Sequence, residues 1–459
     1  MIKSTLHRVR SNKLKLTAIL ALSLLLRPQL TWAQEHSLTL RQCIAIALRE
    51  SSLLQASHFD LLSLGAEIQA AQRLNWPNLS ASATGEAFSG SSTSRFGIVN
   101  TTSPSGGGVN TNRSVDFAGI GIFGAKLQYP VFRDGSIFGL NDAPAVESKK
   151  AEQNALSWTT HLSREEVIYR VTDAFIATVS AQTRVQPIRR RVDLLEKSFG
   201  IVRERQEKGL LLPIDVKVIQ DQLSGARSLA ALVTQQAVAG SLELARLLGL
   251  PSSSHIHLVN DLPATPPAPS AAMVLAASLN HHPSLFVQRA NIAKAKQDWR
   301  LERFRLYPTI SLTGSALDVN DFERDAHVFS GGITVNVPIW DFGAQLATAR
   351  AKQDKYYAEQ ARLNSVGDDV VNEVVLIYQE IASLSESILT LQGEVGKLDR
   401  DVRVATSQQQ QGIADPLPTL DSQLLLLGKQ DALSVAEAKR LLLYAALQRA
   451  SGGTWKWLR

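Results

Sequence analysis

Cysteine is almost missing. Cys43 is the only one in 459 residues, so no internal disulfide can form. Its surroundings, "RQCIAIAL", lack the small-residue run that precedes a lipidated cysteine, and Cys43 reads as an ordinary helix residue. Methionine is nearly as rare, only Met1 and Met273, which leaves nothing to line a path for copper or silver with thioethers. Beyond residue 33 no apolar run reaches the ~18 residues that a transmembrane helix needs. No H-E-x-x-H, G-x-S-x-G or paired-carboxylate arrangement stands out. Neither an enzyme nor a metal or cofactor site is expected. His281 and His282 are adjacent, would point to different faces of a helix and have no third ligand nearby, so they read as a helix entry. "GIGIFG" at Gly119–Gly124 matches a dinucleotide fingerprint letter for letter. The residues after it alternate like a strand and include a proline, where the fingerprint needs a helix. Glycines in a bent strand are the better reading.

Net charge is missing too, once the leader is set aside. Residues 1–33 have a basic start, an apolar run from Leu16 to Leu26, and small residues Thr31 and Ala33 at the spacing of a cleavage site. The run is too short to span a bilayer and reads as a secretory signal, cut after Ala33. This segment holds six basic and no acidic residues, leaving 42 of each sign in the remainder. The basic pI therefore belongs to the leader, and no nucleic-acid partner is expected. An exported chain with no spanning helix is either soluble or a membrane β-barrel.

What is present is present twice. "LQYPVFRDGS" (Leu127–Ser136) and "VNVPIWDFGA" (Val335–Ala344) share the order apolar-Pro-apolar-aromatic, then Asp and Gly. "RLNWPNLSASATG" resembles "RLYPTISLTGS", and Ser37–Leu54 resembles Pro269–Leu285. The division expected is a leader 1–33, a first repeat 34–258, a Pro-rich crossover 259–271 and a second repeat 272–459. Extra residues in the first repeat fall in a Gly/Ser/Thr/Asn-rich segment, and Gly85–Ser114 reads as a loop.

Each repeat should hold a helix of moderate length, two short strands and a very long helical hairpin. In the second, Val374, Ile377, Ile381, Leu384, Ile388, Leu391, Val395, Leu398, Val402 and Ala405 alternate spacings of three and four, a heptad seam. Similar seams run through Val185–Val202 and Val216–Ala237. The first long helix is expected from about Asn141 to Gln206, on the order of 100 Å, kinked or locally unwound at Pro187. The strand segments alternate apolar and polar, as in Ile310, Leu312, Gly314 and Ala316 against Thr309, Ser311, Thr313 and Ser315. Their length, ~9–11 residues, suits a tilted strand crossing an outer membrane. A soluble half-buried sheet has the same period. Four strands cannot close a membrane barrel, so facing lipid would require several chains to share one.

Both hairpins turn alike. "RQEKGLLLPIDVKVIQ" and "QQQQGIADPLPTLDSQ" each show a helix-ending glycine, an apolar-Pro turn and an acidic cap on the return helix. The tip residues singled out are Gly209, Leu210, Leu211, Pro213, Asp215, Gly412, Ile413, Asp415 and Asp421. Gly209 and Gly412 are expected at positive φ. The strand-to-helix turns are Pro130, Phe132, Gly135, Pro338, Trp340 and Gly343.

Taken in order, the twinned strands, duplicated hairpins and Gly-turn-Asp tips resemble the TolC-type outer-membrane efflux family. So do "LAASLNHHPSL" and the ending "ALQRASGGTW". The resemblance covers nearly all of the chain beyond the leader. It implies an α+β membrane protein in which coiled-coil hairpins form a periplasmic α-barrel. Four strands per chain would close a twelve-stranded outer-membrane β-barrel in a homotrimer. The implied partners are outer-membrane lipid, a periplasmic adaptor and an inner-membrane pump, in tripartite efflux or type I secretion. The turns would mark where strands leave the membrane, with proline ending the ladder. At the tip, Asp421 matches the inner of two acidic ring positions, and Pro418 fills the other. Asp215 matches an acid that in some members bridges to an Arg and a Tyr; those positions here are Ala414 and Gln409, so that lock is expected to be absent. A periplasmic adaptor or coiled-coil scaffold is the alternative; an adaptor would carry one hairpin inside a split β-domain.

Overall fold

A computed structural model describes residues 38–88, 118–251, 256, 258, 259, 270–321 and 324–455. The expected leader, most of the Gly85–Ser114 segment and most of the Pro-rich crossover lie outside these residues. In order, the elements are α1 (Leu40–Glu50), α2 (Ser52–Arg73), β1 (Asn78–Phe88), β2 (Ala118–Arg133), β3 (Ser136–Ile137), α3 (Pro144–Glu207), α4 (Pro213–Leu247), α5 (Ala271–His281), α6 (Pro283–Phe304), β4 (Thr309–Asp321), β5 (Arg324–Asn336), α7 (Ala344–Gln410) and α8 (Pro416–Ala450).

The duplication is visible residue by residue in the cores. Cys43 on α1 and Val274 on α5 are both fully buried, each against its own long hairpin. Val171 and Leu244 in the first core have Val374 and Leu447 as counterparts, 203 residues on and equally buried. Burial pushes the Cys43 thiol up to about 12, so it stays protonated and inert. Each half opens with two short helices rather than one of moderate length. The break falls at Ser51 in an extended conformation, and at His282, whose Nδ1 accepts from the Ser284 amide to cap α6. The adjacent histidines thus form a helix entry, as expected.

α3 spans 64 residues and α7 spans 67, about 100 Å each. α3 runs unbroken through Pro187, without the unwinding expected there. α7 carries one stretch long and apolar enough, by length and composition, to cross a membrane, where none was expected. Its apolar seam is the cause: Val374, Ile381 and Ile388 are buried where α5 and α8 pack along it.

α3 is the central strut. It packs on α1, α2 and α4 of its own half and on α6 and α8 of the other. Along the α3–α8 joint Ile176 meets Ala438 and Leu441. Three ion pairs follow the same joint: Arg449–Glu166 at 3.3 Å, Arg184–Asp431 at 2.6 Å and Arg205–Asp415 at 2.6 Å.

The sheet runs β1-β2-β4-β5, antiparallel throughout. Strand alternation sorts its side chains into two faces. One carries Leu79, Ala81, Ala83, Phe123, Ala125, Leu127, Tyr129, Ile310, Leu312, Phe329, Ile333 and Val335. The other carries Asn78, Ser80, Ser82, Lys126, Gln128, Thr313, Ser315, Ser330 and Thr334. The apolar face ends in Asp318 and His327, paired across β4 and β5 at 3.3 Å. β1 extends to Phe88, so residues 85–88 belong to a strand and not to the loop expected from Gly85.

Candidate functional site

Two regions concentrate unpartnered chemistry: the hairpin tips, and the belt where sheet gives way to helix. At the tips both glycines adopt the expected left-handed conformation, φ 74° at Gly209 and 68° at Gly412. Each closes a Schellman motif. Leu210 N–H donates to Arg205 O at 2.8 Å, and Ile413 N–H to Gln408 O at 3.0 Å. A Cβ at either glycine would meet nothing within 4 Å, so glycine is required there by backbone conformation alone.

The return helices start with Pro213 and Pro416, where a missing N–H costs nothing. The Asp215 carboxylate accepts from Leu212 N–H at 3.0 Å. Asp415 is the N-cap of α8 and accepts from Leu417 N–H at 3.2 Å. Acidic caps were expected; the second role of Asp415 was not. Its two oxygens also receive both arms of Arg205, Nη1 at 2.6 Å and Nη2 at 2.7 Å. The guanidinium holds the Asp415 carboxyl below the usual carboxylate range. Ala414 and Gln409 make no lock of the family's form. A fork-to-fork pair of the opposite polarity, base on the first hairpin and acid on the second, joins the two tips instead. Arg205 lies four residues before its glycine, between Arg203 and Lys208, and Asp415 three residues after the other, so no local signal singled out the pair.

Leu210, Leu212 and Ile214 at one tip and Ile413 at the other are largely exposed, while Leu211 is half-buried. Asp421 lies exposed on α8, with Leu417, Pro418, Leu424 and Leu425 one turn away on either side.

At the belt, the twin Pro-aromatic-Asp-Gly motifs do different things. β2 does not stop at Pro130. A bulge between Pro130 and Phe132 lets it run to Arg133, then fold back on itself as β3. Gly135, at φ 85°, sits so close to the Phe304 ring that a Cβ would meet it at 2.7 Å. Asn141 fastens this fold by accepting from Ile137 N–H at 2.8 Å and donating to Gly135 O at 3.0 Å. β5, by contrast, ends at Asn336, before Pro338. There Asp341 accepts from Gly343 N–H (3.0 Å) and Gln345 N–H (2.7 Å) and opens α7 directly, with Gly343 at φ 82°. Ile339, Trp340 and Phe342 stand out in the open, Trp340 edge-on to Phe342.

The described residues hold no cluster of three or more His, Cys, Asp or Glu able to bind a metal. Comparison with known proteins gives a consistent result. The family described as outer membrane efflux protein matches residues 274–453, within the second half. The pyoverdine export outer membrane protein OpmQ of Pseudomonas aeruginosa is 22% identical over 320 residues, 68% of this chain and 66% of its own length. The alignment thus spans just under two thirds of that relative. Outer membrane efflux protein BepC of Brucella suis is 23% identical, over 74% of each chain. The outer membrane protein VceC of Vibrio cholerae superposes with a TM-score of 0.70 at 17% identity, over 90% of this chain and 96% of its own. With the duplicated hairpins and twinned strands already in place, these matches give the chain the fold of the VceC outer membrane protein and a second half that matches the outer membrane efflux protein family.

Proposed function

We propose that three copies of the chain close one barrel and form a passive duct from the periplasm to the outside, for tripartite efflux or type I secretion. The duct receives substrates from an inner-membrane pump through a periplasmic adaptor. One observation carries the assembly. Among the described residues β1 and β5 are edge strands, each paired on one side alone, and a long open edge requires pairing or covering. The helices repeat the argument. α3 takes α6 and α8 of the other half, but among the described residues its counterpart α7 has no comparable packing against α2 and α4. The surfaces that join the halves within a chain are therefore available, in reverse, to join one chain to the next. Such a head-to-tail contact closes into a ring. In mild detergent the membrane-extracted protein should have the mass of three chains. A monomer there, or recovery from the soluble periplasm, would sink the proposal.

The exposed aliphatic tips suit docking to an apolar hairpin end of the adaptor. Trp340, Phe342 and Ile339 suit the membrane interface. Three copies of Asp421 near the axis would repel one another and attract cations. In a reconstituted trimer, Asp421→Asn should weaken cation preference and block by divalent ions. Unchanged selectivity and block would reduce Asp421 to a surface residue of α8.

A further inference from the structure

The middle of the sheet's polar face is nearly uncharged. Between the rows of Ser311 and Ser82, the described side chains Asn78, Ser80, Ser82, Gln128, Ser311, Thr313, Ser315, Ser330 and Thr334 are neutral, and Lys126 bears the one charge; Arg133, at the helix end of β2, is paired with Asp134 at 3.5 Å. The strand register aligns Lys126 with three hydroxyls in a single row: Ser80 on β1, Ser315 on β4 and Ser330 on β5. The two serines of the second half are themselves linked, Oγ to Oγ at 2.7 Å. Lys126 is exposed, and among the described residues no carboxylate pairs with it. The next row toward the far end of the strands is Ser82, Gly124, Leu317 and Val328, apolar on β4 and β5. Leu317 lies over Gly124, within 2.5 Å of where a Cβ would stand, beside Val328.

We infer that Lys126 is a selectivity residue of the barrel, and that the cargo this duct favours carries negative charge, such as carboxylate, sulfonate or phosphate groups. This rests on the trimeric-barrel reading above, in which the polar face lines the lumen. Three copies then give three ammonium groups at one level, each beside hydroxyls that donate to an anion as readily as they accept. Leu317 and Val328 in the row beside them remove water from one side, and a charge at such a boundary acts more strongly than one surrounded by solvent. The counterpart of Lys126 in the second half is Thr334, so the ring has three charges and not six. No anion-binding pocket is implied. Conduction needs attraction weak enough to release its cargo, and one unpaired lysine per chain in a hydroxyl row supplies that.

The test uses the full trimer and exploits the buried, protonated Cys43 as a silent background. Lys126→Cys is treated in intact cells with membrane-impermeant methanethiosulfonates, one bearing a sulfonate and one a trimethylammonium group. The same variants, with Lys126→Ala and Lys126→Glu, are then measured in planar bilayers under a potassium chloride gradient. The expected results are ready aqueous labelling at position 126 and a zero-current potential that moves toward the cation limit in Lys126→Ala, further in Lys126→Glu. Sulfonate modification of Lys126→Cys should reproduce the Glu variant, and trimethylammonium modification should restore wild type. Labelling only by lipid-soluble maleimides would place residue 126 outside the lumen and overturn the inference. So would a conducting wild type whose potential is unmoved by any of the variants. Absence of wild-type conductance would instead count against the duct itself, and the labelling arm would still decide which way Lys126 faces.

Discussion

Leu127→Arg should yield no trimer in the outer membrane, whereas Gln128→Arg, one residue along the same strand, should yield nearly wild-type amounts. Leu127 stands on the apolar face of β2 at the level of Gly314, near the middle of that face, and it is half exposed in the single chain. A guanidinium facing lipid at mid-membrane costs about 2–4 kcal/mol. Three copies in one barrel raise this to roughly 6–12 kcal/mol, comparable to the whole stability of many proteins. Gln128 and Lys126 flank Leu127 on the opposite face, where a charge is already present. The measurement is the amount of heat-resistant trimer in outer-membrane fractions. Equal loss in both variants would mean that the two faces are not lipid and lumen.

Arg205→Ala and Asp415→Ala should each make cells permeable to large antibiotics that the outer membrane normally excludes, and should raise single-channel conductance severalfold. The charge-swapped double variant, Arg205→Asp with Asp415→Arg, should recover much of the closure. The fork-to-fork geometry is demanding, and the loss of either partner removes both bonds at once. The sign of the pH response follows from the lowered carboxyl of Asp415. A depressed acid contributes its stabilisation above its unfolded pKa and loses it as pH falls through the folded value. The pair should therefore hold through neutral and mildly acidic conditions and release only in strong acid. Conductance that is identical in wild type and both single variants would show that the tip is closed by something else.

Much of this architecture was legible because long amphipathic elements write their period into the sequence. The heptad seam of α7 became the buried line Val374, Ile381, Ile388. The strand faces fell as the alternation required. Gly209 and Gly412 declared their φ because a helix ending in glycine before an apolar-Pro turn has few other conformations. What could not be read was contact between distant parts of the chain. Nothing local marks Arg205 as the partner of Asp415, 210 positions away, or Arg184 as the partner of Asp431. The paired turn motifs misled for a related reason. Pro130 and Pro338 occupy the same words, but a bulge rescued one strand and not the other, and that choice depends on neighbouring β4 and on Asn141. Pro187 was read through its local rule alone; the helix continues through it, with α4 and α8 packed along α3.

The ion pairs of the α3–α8 joint have an uneven shadow elsewhere in the ring. Stepping 203 residues along the duplication, Glu166 and Arg449 become Asp369 and Arg246, which could pair again between chains. Arg184 and Asp431 become Ser387 and Ser228, and Arg205 and Asp415 become Gln408 and Leu212. A closed ring of three chains would thus be a cask of six staves whose seams alternate. With Asp369 and Arg246 paired between chains, every seam would be fastened at that level, whereas toward the tips only the seams within a chain would be. Such a mouth would widen as three rigid jaws and not as a six-bladed iris, and a particle forced through it would feel a three-lobed outline.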